Sequence, residues 1–191
     1  MKQTAQEIKT IFDPYFQAPL EVWESFTSHG EIVETEKNEV LKKFGEREKS
    51  FHIILKGSGG ILLYNNNNYI CTDLCYEGDF LVDYLSLLSN QPTQLEVLCF
   101  EQCRLFKIIR QDFIKLAQTG YGRIICQTAA ESLFIHKQNQ QIEILSKTAE
   151  QRYMEILRNQ RHILQRTPDK YIASYLGITP ESLSRIRKKT V

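Results

Sequence analysis

One short signal occurs twice near the end of the chain. Thr167-Pro168-Asp169 and Thr179-Pro180-Glu181 are both Thr-Pro-acid, with Gly177 between them. A Thr hydroxyl accepts from an amide with no partner inside the helix. Pro has no N–H to lose at the first helical position, and the acid faces the positive end of the dipole. Helices are therefore expected to begin at Thr167 and Thr179, and Gly177 supplies the left-handed residue that a turn between them needs. Ile172, Leu176, Ile178, Leu183 and Ile186 are apolar where two crossing helices share a core, and Ala173 is small where the second helix comes close. A generic helical hairpin would need neither Ala173 nor Gly177. The pattern predicts a helix-turn-helix.

With Leu183 and Ile186 inward, the second helix (180–189) turns Glu181, Ser182, Arg185 and Lys188 outward. Such side chains suit a nucleic-acid groove, since Arg grips guanine bidentately and Glu accepts from cytosine N4. Glu181 and Arg185, four apart, can also hold each other, and an ordinary surface pair is the plain alternative. Arg187, Lys189 and the Thr179 region are placed to meet phosphate. Charge agrees: residues 151–191 carry nine Lys and Arg against three Asp and Glu, while residues 1–150 carry fifteen against twenty. A basic tail on an acidic body points to a polyanion met by the tail alone, with a merely solvated basic surface as the competing explanation.

The rest of the chain changes period twice. Ala5, Ile8, Ile11 and Phe12 repeat at helical spacing up to Asp13-Pro14, and Leu20, Val22, Trp23 and Phe26 predict a second short helix before Gly30. Residues 31–109 then alternate as short strands. A turn is expected at residues 57–60, a hairpin tip at the four asparagines 65–68, and another turn at Glu77-Gly78-Asp79. The arrangement reads as a β sandwich or barrel, interrupted at 81–89 by a short helix or lid. Residues 121–147 predict one uninterrupted helix on the order of 40 Å long. Ile135, Gln138, Ile142 and Leu145 form a coiled-coil-like seam, while Ile125, Ala129 and Leu133 face elsewhere. Two apolar faces call for two packing partners, the chain's own domain and a symmetric copy; the alternative is one helix buried lengthwise. Thr148-Ala149-Glu150-Gln151 is a capping box, so a new helix and a hinge are expected there. The division is 1–120, 121–147 and 148–191, in an α+β fold.

Several classes are disfavoured. No apolar run is long enough to span a bilayer and the start has no signal-peptide core, so a cytoplasmic protein is expected. Five cysteines then read as reduced thiols. Cys71/Cys75 and Cys99/Cys103 have paired spacing that suits a metal or redox site. Four residues apart on a strand, however, they share a face and read as small core hydrophobes, so no metal site is expected. His29, His52, His136 and His162 lie in different elements. No nucleophile–base motif or phosphate loop is present, so neither an enzyme nor a cofactor is expected.

In this order of parts the chain resembles the Crp/Fnr family of transcription regulators. "IASYLGITPESLSRIRK" carries the likeness most specifically, supported by "HIILKGSGGILLY" and "YEGDFLVDYLSLL". The resemblance implies a β-roll, a long dimerisation helix and a C-terminal helix-turn-helix reading palindromic double-stranded DNA as a homodimer. Glu181 and Arg185 fall on the family's recognition-helix Glu and Arg, whereas Pro180 replaces a residue that is often Arg. The sequence stops soon after this helix, so a reduced wing is expected.

The cyclic-nucleotide cassette departs from the family. Gly78-Asp79 keeps a turn, but Val82-Asp83-Tyr84 stands for Gly-Glu-Leu, and Thr93-Gln94-Leu95 for Arg-Ser-Ala. Val82 intrudes where the backbone must approach the ligand. Thr93 lacks the cation that would pair a cyclic phosphate, and Asp83 adds negative charge, so cyclic-nucleotide binding is not expected. The pocket candidates Gly78, Asp79, Asp83, Thr93 and Gln94 then belong to a different small-molecule effector, to a protein partner, or to no effector. RNA polymerase is a further candidate partner. A signal in the roll would tilt the hinge at Lys147-Thr148. The competing function is a protein-interaction or small-molecule module without DNA reading.

Overall fold

The computed structural model describes residues 2–190. Two helices, α1 (Lys2–Phe12) and α2 (Leu20–Thr27), precede a run of strands: β1 (Glu31–Thr35), β2 (Val40–Lys42), β3 (Ser50–Lys56), β4 (Gly59–Asn65) and β5 (Asn68–Cys75). A short helix α3 (Tyr84–Ser89) comes before β6 (Leu95–Cys99) and β7 (Cys103–Ile109). The strands form two antiparallel sheets, ordered β1-β7-β3 and β2-β6-β4-β5. Period-2 alternation distributes the β3 side chains. Phe51 and Ile53 pack outward with Ile8, Phe12, Trp23 and Phe26, while Ile54 packs between the sheets with Leu81, Val97, Cys99 and Leu105.

The asparagine tip forms as expected, with Asn66 and Asn67 left-handed between β4 and β5. The expected turn at residues 57–60 is shorter. Gly57 and Ser58 make it, whereas Gly59 and Gly60 already belong to β4. Gly60 is required there by close approach, because a Cβ would fall 2.3 Å from the Phe100 ring. The expectation that Cys71 and Cys75 share a face is also corrected. Ile61 opposes Asp73 but Leu62 opposes Cys71, so one extra β5 residue forms a bulge. Cys71 then packs with Leu62, Leu98 and Phe100 on the outer face, and Cys75 packs inside with Cys99 and Cys103.

After β7 the chain is helical: α4 (Arg110–Leu116), α5 (Gly120–Ser146), α6 (Ala149–Asn159), α7 (Arg161–Arg166), α8 (Asp169–Tyr175) and α9 (Pro180–Thr190). In α5, Ile125 and Ala129 are buried against α1, α2 and α4. Ile135, Ile142 and Leu145 are 59%, 59% and 79% exposed, so the second apolar face is bare in the single chain. Thr148 and Gln151 form the expected capping box. The junction is strapped, because Lys147 donates to Glu143 at 3.3 Å and to Glu155 at 2.6 Å. Among the described residues no helix is long and apolar enough to cross a membrane.

Candidate functional site

Helices α6 to α9 share a core of Tyr153, Ile156, Ile163, Ile172, Ala173, Leu176 and Leu183. Ala173 is fully buried, and Gly177 adopts φ +72°, the left-handed turn conformation expected of it. Arg152, which the sequence did not single out, secures this turn from α6. Its guanidinium donates to the carbonyls of Leu176 at 2.5 Å and Tyr175 at 3.4 Å, closing the end of α8.

The two Thr-Pro-acid motifs differ in structure. Thr179 caps α9, accepting from the Ser182 amide at 3.3 Å. Thr167 does not cap α8, which starts at Asp169 with no side-chain cap; its hydroxyl is bonded to the Tyr76 hydroxyl of the roll instead. A buried tertiary partner has displaced the local one.

On α9, Pro180, Glu181, Ser184, Arg185 and Lys188 line an open depression on the surface. Arg185 donates to Ser182 Oγ at 2.9 Å, in place of the expected grip on Glu181. The Glu181 carboxyl is held below its usual range chiefly by a hydrogen bond with Thr179, and Arg185 adds the smallest contribution. Arg187 faces inward. It pairs bidentately with Asp169 at 2.6 and 2.7 Å and ties α9 to α8, a more confined role than the phosphate contact expected of it. Lys189 is mostly exposed and stands 4.0 Å from Glu150. The expected reduced wing lies outside the described residues.

The structure brings Asp83 and Thr93 together, while the other pocket candidates bond elsewhere. Gly78 is left-handed in a turn whose amide donates to Ile54, and the Asp79 carboxylate accepts from the Tyr76 amide at 2.8 Å. Gln94 contributes its carbonyl to the Tyr64 amide at 2.8 Å. Asp83 itself is fully buried and caps α3 through the Ser86 amide at 3.0 Å.

The cation expected to be missing from this cassette is present in another form. Lys42 of β2 is 3% exposed; its ammonium lies 2.8 Å from Asp83 Oδ2 and donates to Thr93 Oγ1 at 2.8 Å and to the Leu95 carbonyl at 2.6 Å. An ammonium has three donors, and these partners use all three. Thr93 also donates to Asp83. Glu48 completes the cluster, accepting from the amides of Asp83 at 3.1 Å, Lys49 at 3.0 Å and Ser50 at 3.2 Å. Burial pushes the Glu48 carboxyl up to about 7 against the pull of those amides. Lys42 and Glu48 carried no sequence signal, because a bulge between Val40 and Lys42 turns the lysine inward.

The cysteines are all free thiols, and burial pushes Cys71 up to about 12 and Cys126 up to about 11. Among the described residues no group of three or more His, Cys, Asp or Glu side chains is arranged to hold a metal. His52 is buried and held down to about 4 by desolvation, hence neutral.

Residues 32–119 match the cyclic nucleotide-binding domain family. No curated protein matches the sequence. Similar solved structures include the c-di-GMP-responsive global regulator CLP of Xanthomonas campestris, at TM-score 0.69 and 15% identity over 90% of this chain and 91% of that one. FixK2 from Bradyrhizobium japonicum gives 0.68 and 17% over 84% and 83%. The catabolite activator protein of Thermus thermophilus gives 0.58 and 15% over 94% and 85%. These likenesses span roll, long helix and tail together, and at such identities they establish the fold alone.

Proposed function

We propose that the chain is a cytoplasmic, homodimeric DNA-binding transcription regulator, rather than an enzyme, which reads a palindromic operator through α9. The observation that carries this reading is the outward face of α9. Glu181, Arg185 and Lys188 are exposed on a helix that Gly177, Leu183 and the Arg187–Asp169 pair hold in fixed relation to α8. The bare face of α5 supports a second copy, because Ile135, Ile142 and Leu145 recur at the spacing of a two-helix seam. Pairing along α5 would set two recognition helices for half-sites about 34 Å apart.

The roll acts without a cyclic nucleotide bound at the Asp83–Thr93 cassette. A cyclic phosphate there would have to displace the Asp83 carboxylate from Lys42, leaving one buried anion or the other without its cation. The effector is a different small molecule or is absent. Arg185 is assigned to a base edge, Lys188 and Lys189 to phosphate, and Thr179 and Ser182 to positioning the start of α9.

Retention of a random 20-base-pair duplex pool on immobilised protein tests the reading. Selective enrichment of one palindromic sequence, eluted by salt and lost in Arg185→Ala, is the expected result. Retention of no duplex at low salt would instead favour an interaction module whose tail is structural.

A further inference from the structure

The tail does not swing freely from the hinge; it is seated on the roll of its own chain. Tyr171 of α8 stacks on Phe100, with ring centroids 4.5 Å apart and 19° between planes. Together with Tyr175 it covers the outer face of the sheet at Leu62, Cys71 and Leu98. These residues are nearly fully buried, so lifting α8 away would expose a contiguous apolar patch. β5 is an edge strand, and its outward Cys71 amide donates to Ser174 Oγ at 2.8 Å. Arg166, at the end of α7, makes four hydrogen bonds of 2.6 to 3.0 Å to the Glu77 and Glu101 carboxylates. Hydrogen bonding from Arg166 holds the Glu77 carboxyl down at about 2. From α5, Lys137 pairs with Asp73, and Gln140 donates to the Thr72 carbonyl at 2.7 Å. These contacts come from α5, α7 and α8; the outward face of α9 is left open.

We infer that the roll is a splint for the reading helix, with Arg166, Tyr171 and Ser174 as positioning residues that orient α9 before DNA arrives. This rests on the DNA-reading function proposed above. Docking that leaves the recognition face exposed orients the reader and does not block it. A tail hinged only at Lys147-Thr148 would have to be ordered on each half-site during binding, and that ordering costs affinity. In a symmetric dimer the loss would be felt at both half-sites, because engagement of the second depends on the geometry fixed by the first.

The test is Glu77→Gln with Glu101→Gln in the full-length dimer. The pair leaves Arg166 and every α9 residue in place while removing two negative charges from the roll. Electrostatic attraction alone would make DNA bind more tightly. The splint predicts the reverse: about tenfold weaker binding to the duplex enriched from the random pool, no weakening on a scrambled duplex of equal length, and faster hydrogen exchange at the Cys71 amide. Ser174→Ala, a smaller change, should speed exchange at Cys71 and weaken the selected duplex to a lesser degree. Arg166→Glu should weaken the selected duplex likewise, and adding Glu77→Arg should restore part of that loss. Unchanged or tighter binding of the selected duplex overturns the positioning role, as does equal weakening on every sequence. A wild-type chain that retains no duplex at all defeats the DNA reading first and the positioning role with it. Exchange at Cys71 still reports in that case whether the tail is docked.

Discussion

Two polar sites in this molecule solve opposite problems. At the cassette, Lys42, Asp83 and Glu48 are buried with the half-buried Thr93, and the ammonium spends its donors on Asp83, Thr93 and the Leu95 carbonyl. On α9, Glu181, Arg185 and Lys188 face solvent, committed within the helix by the bonds of Arg185 to Ser182 and of Glu181 to Thr179. A charge that is already paired in a dry interior has little to offer a ligand, whereas an exposed, pre-positioned charge can exchange water for a partner at modest cost. The buried charges at residues 42, 48 and 83 are thus committed to one another and to the surrounding backbone, and the exposed charges of the tail are free to meet a partner.

The sharpest way to break this contrast is to strip the cassette of one charge. Asp83→Leu should destabilise the chain by about 3–5 kcal/mol, because it strands the Lys42 ammonium. Combining it with Lys42→Met should recover much of that loss in denaturant titrations. An equal loss for single and double variants would show that the pair does not act as a unit.

Next in size is the pH dependence of the same cluster. The Glu48 carboxyl is raised in the folded state from 4.5 to about 7. Between these values the unfolded chain releases a proton that the folded chain keeps, so stability falls as pH rises through that window and then levels off. The share due to Glu48 is on the order of 3 kcal/mol, and Glu48→Gln should flatten this slope between pH 4.5 and 7. A slope that persists unchanged in the variant would place the titration elsewhere.

On the other side of the comparison the effects move from stability to binding. Arg185→Ala should cost about 1–3 kcal/mol on the selected duplex and leave thermal unfolding unaltered. Uniform weakening across sequences would make Arg185 a phosphate contact. The smallest effect separates the two Thr-Pro-acid motifs. Thr179→Val should cost about 1 kcal/mol by loss of the α9 cap. Thr167→Val should leave helix content unchanged and speed exchange where the tail meets Tyr76. If both changes reduce helix content alike, Thr167 is a cap after all.

The same contrast explains what the sequence made legible. The helix-turn-helix is built from contacts within some twenty-five residues: a cap at Thr179, a left-handed Gly177, and apolar offsets at Ile172, Leu176 and Leu183. Local signals of this kind can be read in order along the chain. The cassette joins residues 42, 48, 83 and 93 from four separate segments, and the inward turn of Lys42 depends on a bulge that leaves no mark in composition. Thr167 is a cap-forming residue by type, but Tyr76, ninety-one residues away, offers its hydroxyl a buried partner. Cys71 and Cys75 lie on opposite faces for a related reason, one extra residue in β5 that composition does not mark. The docking of the tail on the roll was equally invisible, since Tyr171, Ser174 and Arg166 look like ordinary surface positions until β5 and Phe100 are placed beside them.

The central claim is that anion recognition belongs to α9 and has left the cassette. Fluorescence anisotropy of the selected duplex, titrated with the dimer in the absence and presence of millimolar cyclic AMP, measures both halves at once. The predicted result is salt-sensitive duplex binding with the same Kd whether or not the nucleotide is present. A Kd that shifts with cyclic AMP would contradict the closed cassette, and a duplex that never binds would contradict the reading of α9.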